Sequence, residues 1–138
     1  MENERETVVA VKGLIINDGK ALIVKRSSND EVGAGTWECA GGKIDFGESL
    51  EQALIREVKE EVGVEINVEN LLFASTFNTN PKRQVVILTY LCTSSNRDVR
   101  LSEEHSEYKW CNRDELNLFL EQNILDDFKK NNVLEFVM

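Results

Sequence analysis

The residues whose types and spacing bear chemistry are concentrated in one segment, Gly42 to Val64, GKIDFGESLEQALIREVKEEVGV. Glu57, Glu60 and Glu61 stand at positions i, i+3 and i+4 of it. On an α-helix, at roughly 100° per residue, they share an arc of about 100° that borders the apolar stripe. Three carboxylates that close repel, and they raise one another's pKa unless a cation or an arginine joins them. Their hard oxygens suit Mg2+, or Mn2+, better than zinc. Arg56 adjoins Glu57 in sequence but is expected to point elsewhere, pairing with Glu48 of the preceding loop. Taken alone, REVKEE also reads as the solvated face of a helix. The pair Gly41-Gly42 shifts the balance towards a site, because glycines permit close backbone approach and free carbonyls to face an ion.

These acids need a helix to hold them. Leu50, Leu54, Val58 and Val62 recur every four residues and Ala53 widens the stripe, so the spacing predicts a helix over 49–62. Ser49 with Gln52 forms a capping box, and Gly63 stands where a helix C-terminus favours glycine. Before the helix, Val8–Ile16 and Ala21–Lys25 read as strands joined by the hairpin turn Asn17-Asp18-Gly19-Lys20. Ser27–Thr36 is a polar loop, and Trp37–Ala40 a short extended piece. After the helix, Leu71–Thr79 and Gln84–Thr93 are strands joined by Asn80-Pro81-Lys82-Arg83. Glu107–Cys111 alternates, with Tyr108 and Trp110 on one face. Asn112 with Glu115 caps a helix through Leu120, and Asn123 with Asp126 starts a last one. Strands interleaved with a few helices make a mixed α/β (α+β) fold, a sheet sandwiched by helices.

Composition narrows the function. The chain of 138 residues, 41% hydrophobic and 30% charged, suits one globular domain over 1–138. A net charge of −9 argues against long nucleic acid as a partner, since such binding relies on basic surface. A small phosphorylated substrate stays open, provided a metal ion reverses the local field. Cys39, Cys92 and Cys111 are odd in number and far apart, which fits reduced packing residues rather than disulfides or zinc ligands. No apolar run reaches the length of a membrane span and no leader pattern opens the chain, so a cytoplasmic location is expected. The apolar C-terminal stretch Val133–Met138 either closes the core or joins a homodimer, leaving monomer and homodimer both open.

Gly42, Glu48, Arg56-Glu57-Val58, Glu60-Glu61 and Gly63-Val64 match the Nudix box at every specified position, and the chain resembles that family. The resemblance implies Mg2+-dependent hydrolysis of a nucleoside diphosphate linked to a further group, X. A nucleoside triphosphate fits best, as in MutT-like pyrophosphohydrolases; nucleoside diphosphate sugars, ADP-ribose and diadenosine polyphosphates are alternatives, as is a regulatory domain that binds without cleaving. It further implies Glu57, Glu60 and Glu61 as metal-binding acids, the Gly41 carbonyl as another ligand, and Glu48, Arg56, Gly42 and Gly63 as supports. Many relatives add an acid on a late loop, and Glu104 matches it best, as metal ligand or general base. Glu57 is the competing base, and Glu103 and Glu107 are the neighbours most easily mistaken for Glu104. Arg26 falls where relatives contact phosphates, and Lys43 is a further substrate contact. Trp37, Phe77 and Tyr90 are candidates for a base pocket, although aromatic residues in strands more often belong to the core. Ala40 stands where many relatives have proline. His105, the only histidine, reads as a structural or surface residue.

Overall fold

The computed structural model describes residues 4–27 and 34–138. It opens on a hairpin of β1 (Glu6–Asn17) and β2 (Lys20–Arg26). Asp18 and Gly19 both have positive φ, +52° and +78°, the twist that a two-residue hairpin turn requires. Of the loop expected over 27–36, residues 28–33 lie outside the described residues. β3 (Trp37–Glu38) and β4 (Ala40–Lys43) follow, separated by Cys39 alone.

One edge of β1 is shared by two partners. β2 pairs with its end, at Ile16 and Asn17, while β4 pairs antiparallel with residues 10–13. The sheet therefore forks, and Glu38-Cys39-Ala40 carries the chain across the fork from β2 to β1. On the other edge β6 (Arg83–Ser94) runs parallel to β1 from end to end, with β5 (Ile66–Asn80) antiparallel beyond it. β7 (His105–Cys111) pairs with β2. Among the described residues seven strands form one mixed sheet, β3-β2-β1-β6-β5, with β4 and β7 branching from it.

Helices cover both faces, as the apolar patterning implies. α1 (Leu50–Val62) buries Ala53, Leu54, Val58 and Val62 completely, against Val11, Ile15, Tyr90 and Cys92 of the sheet. Each buried Leu or Val contributes roughly 1.5–3 kcal/mol over its exposed state, which fixes the roll of the helix and hence where its acids point. Both halves of its capping box form, and Gly63 closes it at φ +69°. On the other face α2 (Arg113–Phe119) and α3 (Gln122–Lys130) pack Leu116, Leu125 and Phe128 onto Leu14, Ala21 and Ile23. The C-terminal stretch closes this core: Val133 and Val137 are buried, and the Met138 N–H donates to Gly19 O at 2.8 Å.

Several boundaries depart from expectation, among them β1, which begins at Glu6, and β4, which runs on through Gly41-Gly42 to Lys43. β5 begins at Ile66, five residues before Leu71, because Asn67, Glu69 and Asn70 lie on an edge strand with bulges and need no apolar alternation. β7 begins at His105, before Glu107, through a bulge opposite Lys25 and Arg26. α3 starts at Gln122 from Glu121, which makes no side-chain cap, rather than from Asn123. The three cysteines are buried and free. Among the described residues no helix is long and apolar enough to cross a membrane.

Candidate functional site

α1 turns its acidic edge towards the fork in the sheet. Glu61, one residue from the helix end, is 5% exposed, and its Oε1 accepts the Gly41 N–H at 3.2 Å. That approach depends on Gly41, where φ is +150° and a Cβ would collide with the Val11 carbonyl. Burial pushes the Glu61 carboxyl up to about 7; Lys12, the Gly41 N–H and His105 pull against that rise, and Glu104 adds to it.

The loop that carries Glu104 is stitched to the same end of α1. Arg100 N–H donates to Val62 O at 2.7 Å and Ser102 N–H to Glu61 O at 2.9 Å. Its far side is tied to β2, with Ser27 N–H donating to Glu104 O at 2.9 Å. Ser102 Oγ accepts the Glu104 N–H at 3.3 Å. These bonds bring ligand atoms of Glu61, Glu104 and His105 within 4.8 Å of one another, with Glu104 open to solvent.

Glu57 and Glu60 sit apart from that trio, gathered instead by Arg56. Its Nε and Nη2 grip Glu48 at 2.7 and 2.9 Å, forming the expected loop–helix brace. Contrary to expectation, the guanidinium also turns to its neighbour Glu57, at 2.9 Å, and to Glu60, at 3.2 Å. A long side chain is not confined to the direction of its own Cβ, and the one guanidinium, which also meets Asp45 at 3.4 Å, offsets the mutual repulsion of the four carboxylates around it. The bond from Arg56, then the Asp45 N–H, lowers the half-buried Glu48 carboxyl to about 2. Gly42 lies under Glu57, where a Cβ would meet its carboxylate. Lys43 is exposed, and its carbonyl accepts from Arg56 at 3.2 Å.

Beneath the acids lies a polar network that the sequence reading did not find. Glu38 accepts from Arg26 at 3.1 Å and faces Lys12 Nζ at 3.3 Å and His105 Nε2 at 3.0 Å. Burial alone would raise the Glu38 carboxyl, but Lys12, the His105 bond and Arg26 outweigh it and hold the group at about 2. Lys12 also donates to Cys39 O at 3.2 Å, bolting β1 to the crossing segment. One signal was available: Lys12 is the single charge in the apolar run Val8–Ile16. His105 is buried, so its surface reading is replaced by a place in this network.

Arg26 is thus engaged by Glu38 at the edge of the site. Trp37, offered as a pocket residue, is 9% exposed and packs in the core, tilted against Phe119 at 5.5 Å. Tyr90 is likewise buried, on the α1 side. Phe77 is 44% exposed. Its register through Val85 to Val8 places it on the same sheet face as Lys12.

The donor set fits a hard divalent cation. Glu61 is a nearly buried carboxylate beside a second, solvent-facing one, and a cation would relieve the cost of ionising it.

Known proteins share this arrangement of chain. A model of the NUDIX domain matches residues 6–131. The nucleoside triphosphatase NudI of Salmonella agona (strain SL483) is 32% identical over 116 residues, covering 77% of this chain and 82% of that protein. NudI of Escherichia coli O17:K52:H18 (strain UMN026 / ExPEC) is 32% identical over 113 residues, 75% of this chain and 80% of its own. Among solved structures, the MutT protein from Methanosarcina mazei Go1 superposes with a TM-score of 0.84 at 30% identity, covering 94% of this chain and 95% of that one. The chain belongs to the Nudix family, as a hydrolase of phosphoric anhydrides.

Proposed function

We propose that this protein is a Mg2+-dependent nucleoside triphosphate pyrophosphohydrolase, Mn2+ serving in its place, which adds water to release a nucleoside monophosphate and pyrophosphate. The observation that carries the reading is the convergence of Glu61, from the box helix, with Glu104, from a loop 43 residues on, at a fork closed by Gly41. Relatives named as nucleoside triphosphatases favour that substrate class. Glu61 and Glu104 in their cluster, the Gly41 carbonyl beside them, and Glu57 and Glu60 along the same helix edge would hold the metal. Bound there, it polarises phosphoryl oxygens, lowers the pKa of water and offsets charge on the leaving phosphate.

The chain's own groups do the rest. Glu104 takes the proton of the attacking water: its carboxylate accepts no hydrogen bond among the described residues, whereas the rival base Glu57 already accepts one from Arg56. Arg56 and Glu48 keep the loop and helix in register. Lys43, exposed beside the glycine pair, and Arg26, at the rim, meet substrate phosphates. Phe77 offers an apolar surface to the base on the face that Lys12 shares. The net charge of −9 disfavours long nucleic acid, and the substrate is a small nucleotide.

Gly42→Ala tests the bracing directly. The added methyl pushes against the end of a flexible side chain, so the fold is expected to survive while Glu57 leaves its place. Turnover should fall by about 100-fold, as misplaced catalytic groups cost. Steady-state kinetics beside an unchanged circular dichroism spectrum would show it. Substrate class is tested by a panel of nucleoside triphosphates, ADP-ribose, nucleoside diphosphate sugars and diadenosine polyphosphates. Triphosphates should give the highest kcat/KM, and preference for another class would move the assignment.

A further inference from the structure

We infer that His105 is itself a ligand of the metal centre, through Nδ1, and that this nitrogen makes the site favour Mn2+ and Co2+ over Mg2+. The inference rests on the hydrolytic reading above and names a donor outside its all-oxygen set. The His105 side chain is 3% exposed and bonded on one side only. Nε2 meets Glu38 Oε2 at 3.0 Å, while Nδ1 finds no hydrogen-bond partner among the described residues. A buried ring nitrogen left so is costly, and such atoms ordinarily have a partner.

The ring is oriented by its other bond. Glu38, pinned between Lys12 and Arg26, is an anionic acceptor, so Nε2 carries the hydrogen and donates it. In the neutral ring Nδ1 then presents its lone pair, and it does so 4.0 Å from Glu61 Oε1. Two donors on one ion, each about 2.1 Å from it, stand about 3 to 4.2 Å apart. Glu104, the next residue in the chain, supplies the third donor. A carboxylate that accepts the far N–H of an imidazole is the support that metal-binding histidines ordinarily have, and here Glu38 provides it. Imidazole nitrogen favours later divalent metals over Mg2+, which prefers oxygen and keeps its waters.

The test is spectroscopic and does not depend on turnover. The full chain with one equivalent of Mn2+ is read by pulsed electron paramagnetic resonance for 14N coupling. A directly bound imidazole nitrogen is expected, absent in His105→Gln, whose amide still donates to Glu38. Calorimetric titration should show the ratio of Mn2+ to Mg2+ affinity falling by about 10-fold or more in that variant. If the variant does not fold, the wild-type spectrum alone decides. A wild-type Mn2+ complex without 14N coupling, or an unchanged affinity ratio in folded His105→Gln, overturns the ligand. Mg2+-supported hydrolysis would survive that result, whereas failure of hydrolysis with every metal would strike the function and leave the coordination intact.

Discussion

Glu61→Gln is expected to lower kcat by at least about 100-fold and, at the same time, to make the metal-free protein more stable at pH 8. The first effect follows from removing charge that the metal centre needs most at the transition state. The second follows from burial. The Glu61 carboxyl is raised from 4.5 to about 7, so between those values the folded state holds a proton that the unfolded chain has released. Stability from this group is full below about pH 4.5 and is lost as pH rises through about 7. At about 1.4 kcal/mol per unit, ionising it costs the metal-free fold up to about 3 kcal/mol. Glutamine keeps an oxygen for the Gly41 N–H without that cost. Urea unfolding in EDTA at pH 8 should therefore rank the variant above the wild type, and the gap should vanish near pH 4. Added Mg2+ should reverse the order, since the wild type, with its full set of donors, binds the cation more tightly and gains more from it. A variant less stable than wild type in EDTA would mean that Glu61 is held by bonds other than those described.

Glu104→Gln should slow turnover by roughly 100-fold or more, the range of a lost general base, while Glu103→Gln stays within about 3-fold. The two residues are neighbours on one exposed turn, so charge and sequence do not separate them. Geometry does: Glu104 reaches the Glu61–His105 cluster, and Glu103 is not part of it. The backbone bonds that hold the turn, from Ser27 N–H to Glu104 O and from Ser102 N–H to Glu61 O, involve neither side chain. Both variants should keep the same melting temperature, which makes kcat the readout. Equal, small effects would remove Glu104 from the chemistry and return the base to Glu57.

How much of this was legible in the sequence depended on range. α1, its capping box and its glycine C-cap are local, spaced by helical period and by hydrogen bonds three or four residues apart. The hairpin turn and the second capping box, of Asn112 with Glu115, are legible for the same reason. β5 blurred because its first residues lie on a bulged edge, where pairing comes from the backbone and polar side chains are tolerated. The Lys12–Glu38–His105–Arg26 network draws on four strands, and no spacing in the chain announces that they meet. Arg56 misled at shorter range: its Cβ direction was read correctly for Glu48, and the reach of its stem to Glu57 was overlooked. Trp37, a candidate for the base pocket, lies nearly buried against Phe119, a packing between distant segments that no local spacing announces.

The proposed reaction is hydrolysis of a nucleoside triphosphate between its α- and β-phosphates at a divalent-metal centre. The measurement that bears on it most directly is product analysis of that substrate with purified protein and Mg2+, beside an EDTA control. Equimolar nucleoside monophosphate and pyrophosphate, abolished by EDTA, are expected. Folded protein that binds the nucleotide and leaves it whole, or that yields nucleoside diphosphate and orthophosphate, would contradict the account.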